Sequence, residues 1–148
     1  MTRVLVVEAD FYKDIAEEMG RGAVAELEAN QVEVERISVP GALEIPAAIA
    51  IASRRNDGQP AYDGYVALGC VIRGETTHYD YVCAESARGL QDLALKNTLA
   101  IGYGVLTCEN REQAMARASA DQHDRGGAAA RACLAMIELK RNFHLYPR

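Results

Sequence analysis

No apolar stretch in this 148-residue chain approaches the roughly 18–20 residues of a membrane-spanning helix, so no helical span is expected. Basic clusters are missing as well. Lys and Arg total 16 against 21 Asp and Glu, for a net charge of −5, and no local run of Lys/Arg offsets it, which argues against a nucleic-acid partner. Met1-Thr-Arg-Val-Leu-Val-Val7 is too short for the apolar core of a signal peptide and leads straight into a strand, so the expected location is cytoplasmic. Cys70, Cys83, Cys108 and Cys133 share no CxxC or Cys/His ligand spacing and read as small hydrophobes in a reducing compartment. His123 and His144 have no partner at ligand spacing, so no metal is expected. A GxGxxG turn is lacking after the first strand, where the chain reads Glu8-Ala-Asp-Phe-Tyr12, and this excludes a dinucleotide-binding dehydrogenase. The acidic end of that strand is shared with two-component receiver domains. Their phosphoacceptor Asp after the third strand has no counterpart in Gly69-Cys-Val-Ile72.

What is present is an ordinary globular composition, 49% hydrophobic and 25% charged, over a length that fits a single domain, residues 1–148. Repeats, linkers and low-complexity tracts are absent. Four apolar segments alternate with longer amphipathic ones. Strands are expected at Arg3–Glu8, Gln31–Val39, Gly64–Ile72 and Leu99–Thr107. Helices are expected at Phe11–Asn30, Glu44–Arg55, His78–Asn97, Asn110–Ala118 and Gly127–Arg141, with loops at Asn56–Asp63 and Ser119–Arg125. This order implies an α/β fold, a three-layer α/β/α sandwich around a four-stranded parallel sheet. Ligands of such open sheets bind outside the carboxyl ends of the strands, which directs attention to the loops Glu8–Phe11, Val39–Glu44, Arg73–Thr77 and Thr107–Asn110.

The third of these is the most informative. The apolar strand ends at Ile72 and breaks at Arg73-Gly74, and a helix begins near His78. Thr77-x-x-Asp80 has the form of a capping box, and Gly74 to Thr77 should offer free backbone N–H groups at a helix start, a ready anion site. His78 stands beside it. Its ordinary pKa near 6.5 suits proton transfer at neutral pH, although a histidine in a first helical turn is often only a surface residue. Phe11 is either a hydrophobic staple for the helix that follows or an aromatic platform for a flat heterocycle. Glu44 either complements a helix dipole or supplies a carboxylate to a ligand. Tyr103, between Gly102 and Gly104, either packs under a covering helix or projects to a neighbouring subunit. Arg117 and Arg125 alone would be solvated helix-face residues.

Together these pieces resemble the lumazine synthase family, over about Arg3 to Leu139. Three motifs carry the resemblance: Val39-Pro-Gly-Ala-Leu-Glu-Ile-Pro46, Gly69-Cys-Val-Ile-Arg-Gly-Glu-Thr-Thr-His-Tyr-Asp-Tyr-Val82, and Gly104-Val-Leu-Thr-Cys-Glu-Asn-Arg-Glu-Gln-Ala-Met-Ala-Arg117. The resemblance implies a flavodoxin-like fold and a cofactor-free enzyme of riboflavin biosynthesis. Such an enzyme joins two small molecules, 5-amino-6-(D-ribitylamino)uracil and 3,4-dihydroxy-2-butanone 4-phosphate, into 6,7-dimethyl-8-ribityllumazine, releasing phosphate and water. A non-catalytic lumazine- or riboflavin-binding protein of the same fold is the alternative. Carried over position by position, Phe11 would stack on the pyrimidine, and Ala42, Leu43 and Glu44 would hold the ribityl chain. Cys70, Val71 and Ile72 would meet the uracil edge, and Gly74, Glu75 and Thr76 would cradle the phosphate. His78 would be the general acid/base. Tyr103 and Arg117 match positions supplied from an adjacent subunit, and Arg125 keeps a positive charge at a family lysine position. Tyr12 stands where the family often has Asn, Leu43 where it usually has an aromatic, and Asp121 where it has a first lysine. The side chain of Glu75 must point away from the phosphate. The implied assembly is a homo-oligomer with sites at subunit interfaces. A free pentamer is expected rather than a decamer or a 60-subunit shell, because the first strand starts at Arg3 and Asn142–Arg148 offers no substitute for an N-terminal pairing segment.

Overall fold

The structure is a computed structural model that describes residues 1–146; Pro147 and Arg148, the end of the expected domain and of the C-terminal segment, lie outside the described residues. Four strands form one all-parallel sheet in the order β2-β1-β3-β4, with β1 at Arg3–Ala9, β2 at Glu33–Val39, β3 at Gly64–Ile72 and β4 at Ile101–Cys108. The central strands β1 and β3 are apolar almost throughout, as a sheet covered on both faces requires. Alternation along each strand splits the core in two. Val4, Val6, Val66 and Leu68 face α1 (Lys13–Ala29), α4 (Arg111–Ala118) and α5 (Arg125–Asn142), whose Ile15, Met19, Ala114, Ala130 and Cys133 fill that side. Leu5, Val7, Ala67 and Tyr65 face α2 (Ile45–Ser53) and α3 (His78–Lys96) through Ile45, Ile49, Val82 and Leu90. Each fully buried Val, Leu or Ile contributes about 1.5–3 kcal/mol, so this double core is the main source of stability. Among the described residues, no helix is long and apolar enough to cross a membrane.

The element order matches expectation, and the ends differ for local reasons. α1 starts at Lys13, because Tyr12 is extended (φ −104°, ψ 97°) and leaves Phe11 outside the helix. β2 cannot begin at Gln31, which sits at φ 58° in the left-handed region that strand geometry excludes, and β4 begins at Ile101 rather than Leu99. The expected helix from Glu44 divides into a 3-10 turn at Ala42–Glu44 and α2 from Ile45, with Pro46 in the first turn, where its missing N–H is harmless. α5 starts two residues early, because left-handed Asp124 (φ 47°) turns its carboxylate onto the Gly127 N–H at 3.1 Å.

Two glycines in β4 explain the odd placement of Tyr103. α5 passes so close to the strand that a Cβ on Gly102 would run into the Ala129 carbonyl, and one on Gly104 would press the Ala129 methyl at 2.9 Å. Glycine at both positions lets the helix seat, and the intervening residue points to the opposite face. Tyr103 remains 44% exposed there.

Candidate active site

A cleft of about 350 Å³ opens at the carboxyl edge of the sheet. The loop after β1 contributes Phe11 and Tyr12, and the 3-10 turn contributes Gly41, Ala42, Leu43 and Glu44. The end of β3 contributes Cys70, Val71 and Ile72, the following loop Gly74 and Thr76, and the first turns of α3 His78, Tyr79 and Val82. Most of the residues expected at a site thus share one wall-to-wall space. Glu75 does not line it.

The loop between β3 and α3 is built as an open donor set. Arg73 closes the strand by donating its N–H to the Cys108 carbonyl at 2.9 Å. Beyond it, the backbone N–H groups of Gly74, Glu75, Thr76 and Thr77 find no acceptor among the described residues. The expected capping box is not formed. Thr77 has helical backbone angles (φ −74°, ψ −3°) and makes no side-chain cap, which leaves only a weak 3.3 Å bond from the His78 N–H to Thr76 Oγ1. Asp80, the other half of that box, is turned towards Arg73 at 3.6 Å. Arg73 also holds Glu109 at 3.0 Å and lies 4.3 Å over the Tyr79 ring. The Glu109 carboxylate raises the Arg73 pKa further, so the guanidinium is charged but already engaged. Exposed, uncapped N–H groups at the start of a 19-residue helix carry the positive end of its dipole into the cleft beside His78.

The apolar wall is chemically quiet. Burial, followed by the neighbouring Cys108 thiol, pushes the Cys70 thiol up to about 12, so it stays protonated and is no nucleophile at neutral pH. Cys83 and Cys108 are also raised, chiefly by burial. Among the described residues, no three His, Cys, Asp or Glu side chains come together to hold a metal ion.

The profile of the 6,7-dimethyl-8-ribityllumazine synthase family matches residues 1–141. The chain belongs to that family. It is 55% identical to the 6,7-dimethyl-8-ribityllumazine synthase of Afipia carboxidovorans over 141 residues, covering 94% of this chain and 86% of the relative. The corresponding figures are 56% over 138 residues for 6,7-dimethyl-8-ribityllumazine synthase 1 of Rhizobium meliloti, covering 93% and 90%. The synthase of Methylorubrum populi is 54% identical over 148 residues, covering 99% and 87%. As a member of the lumazine synthase family the chain is an enzyme, a transferase of riboflavin biosynthesis. Membership also implies small-molecule substrates and oligomeric assembly.

Three residues singled out by the resemblance to lumazine synthases lie away from the cleft. Tyr103, Arg117 and Arg125 line a second hollow of about 210 Å³ along β4, together with Thr107. The two hollows share no lining residue. Arg117 folds back so that Nη1 donates to the Gln113 carbonyl at 3.2 Å, and burial raises the Tyr103 phenol. Asp121, at the altered lysine position, is turned to Arg21 of α1 at 3.4 Å, away from any anion role. Sequence reasoning missed Tyr12, Gly41, Tyr79 and Val82 as cleft residues. The signal was present for two of them, since Gly41 lies inside the Val39–Pro46 motif and Val82 lies four places after His78, on the same face of α3.

Proposed function

We propose that this chain condenses 5-amino-6-(D-ribitylamino)uracil with 3,4-dihydroxy-2-butanone 4-phosphate to 6,7-dimethyl-8-ribityllumazine, releasing inorganic phosphate and water. The observation that carries this reading is the open helix start beside His78, set in the same cleft as Phe11 and Glu44. Phe11 offers a ring face to the pyrimidine. Ala42, Leu43 and Glu44 hold the ribityl chain, with the Glu44 carboxylate accepting hydrogen bonds from its hydroxyls. Backbone groups of Cys70, Val71 and Ile72 meet the uracil edge. The N–H groups of Gly74, Glu75 and Thr76 bind the phosphate. The uracil amine condenses with the ketone to an imine and releases water. Phosphate then leaves by elimination, and ring closure releases a second water. Each step moves a proton, and one placed imidazole contributes about 10²–10⁴ in rate. Holding two reactants in register contributes the rest.

The working unit in this reading is a homopentamer. Tyr103, Arg117 and Arg125 complete the phosphate end of a neighbour's cleft, a head-to-tail contact between two different surfaces that closes into a ring. The separation of the two hollows on one chain supports this. The phosphorylated substrate and the biosynthetic role support a cytoplasmic location. A binding protein without turnover has no observation in its favour.

The test is a turnover assay with both substrates, read by the absorbance and fluorescence of the lumazine product, with light scattering on the same sample. Product formation and a mass near five times 16.1 kDa are expected. Tight product binding without turnover would restore the alternative, and a monomer with full activity would overturn the shared site.

A further inference from the structure

Phe11 is 72% exposed and sits in a bend between β1 and α1, with neither element holding its ring. A platform for a flat ligand must be fixed in orientation before the ligand arrives, or its ordering offsets the stacking. One aromatic partner is available. The Tyr12 ring meets Phe11 edge to face, with centroids 4.9 Å apart and planes at 82°. Tyr12 is itself anchored. It is half-buried and packs against the core under α1, α4 and α5. The Arg111 guanidinium also lies 5.5 Å from its ring centroid. Arg111 opens α4, where the helix dipole disfavours a cation. Its position is explained by a second contact, the 2.6 Å ion pair from Nη2 to Asp14 Oδ2 of α1. Asp14, Arg111, Tyr12 and Phe11 thus form a continuous chain of contacts from two helices to the cleft.

We propose that Tyr12 is a positioning residue for the pyrimidine substrate, holding the Phe11 ring in stacking orientation while Arg111 and Asp14 fix Tyr12. This rests on the reading of Phe11 as the pyrimidine platform. An edge-to-face pair is strong enough to alter ligand affinity by about threefold to tenfold, and a cation over a ring adds a smaller factor.

The experiment is a double-mutant cycle on Phe11 and Tyr12 in the full-length enzyme, with KM measured for both substrates. Tyr12→Ala is expected to raise KM for the ribitylaminouracil about threefold to tenfold and to leave that for the butanone phosphate within about twofold. Tyr12→Phe, which keeps the ring and loses the hydroxyl, should recover most of the pyrimidine affinity that Tyr12→Ala loses. In a Phe11→Ala background, Tyr12→Ala should add nothing, because it acts through a ring no longer present. Arg111→Ala should raise the same KM by about twofold to fourfold. The brace is overturned if Tyr12→Ala raises both KM values alike, or if the two substitutions add independently. Phe11→Ala separates this from the underlying reading: an unchanged pyrimidine KM there refutes the platform itself. A large increase with no effect of Tyr12→Ala refutes only the brace.

Discussion

Two neighbouring strands end in helix starts that are finished in opposite ways. After β4, α4 is closed by its own side chains: Asn110 Oδ1 accepts the Gln113 N–H at 2.9 Å, and Gln113 Oε1 accepts the Glu109 N–H at 2.8 Å. After β3, Thr77 gives α3 no side-chain cap, and Gly74, Thr76 and His78 at its start line the cleft. Both loops lie at the same edge of the sheet and both sequences contain suitable capping residues, so composition does not account for the difference. A cap is worth about 1 kcal/mol, and α3 forgoes it where a helix dipole meets a cavity. A site of this kind is marked by an interaction that could have been made internally and is left open.

The strongest way to test the meaning of the open start is to remove the proton-transfer group beside it. His78→Ala should lower kcat about 10- to 1,000-fold while leaving the fold and pyrimidine affinity nearly intact, since orientation survives the loss of acid/base help. A parental kcat across neutral pH would reject the role. Next in size is Arg117→Ala, which removes a charge proposed to reach a neighbour's phosphate. KM for the butanone phosphate should rise about 10- to 100-fold and exceed any change in the pyrimidine KM. Equal losses for the two substrates would instead indicate a damaged interface. A smaller effect comes from making α3 resemble α4. Thr77→Asp places a carboxylate at the open start, and its repulsion should raise the butanone phosphate KM about tenfold. A KM unchanged within twofold would show that phosphate does not bind there. The converse, Asn110→Ala, should cost about 1 kcal/mol in a denaturation curve with both KM values unaffected. Any selective loss of phosphate affinity would erase the contrast between the two loops.

The strand and helix order was legible because β3 is apolar without interruption and β1 nearly so, and because Ile15, Met19, Ala23 and Leu27 recur at helical spacing. The cleft was legible where its residues are contiguous or nearly so, as in Cys70–Ile72 and in Gly74, Thr76 and His78. What escaped depends on partners distant in the chain. The Thr77-x-x-Asp80 pattern counts only positions three apart. Asp80 is drawn to Arg73, which in turn is held by Glu109, 36 places further on. Tyr12 read as a departure from a family pattern, and nothing local reveals that Arg111, at the start of α4, comes to rest over its ring. The left-handed residues Gln31 and Asp124 moved element ends for a similar reason. Their conformation answers to how the next strand or helix must be entered, and no propensity encodes that.

The two hollows that share no lining residue have a genetic consequence. In a ring where each active centre draws on two chains, alleles that fail for different reasons need not fail together. A chain lacking His78 and a chain lacking Arg117 would each be impaired alone, one in proton transfer and the other in phosphate affinity. Mixed in one ring, some junctions unite the intact half of one with the intact half of the other. Co-expression of one allele of each kind should therefore support faster growth of a riboflavin auxotroph than either allele alone, whereas two alleles damaged in the same hollow should not complement.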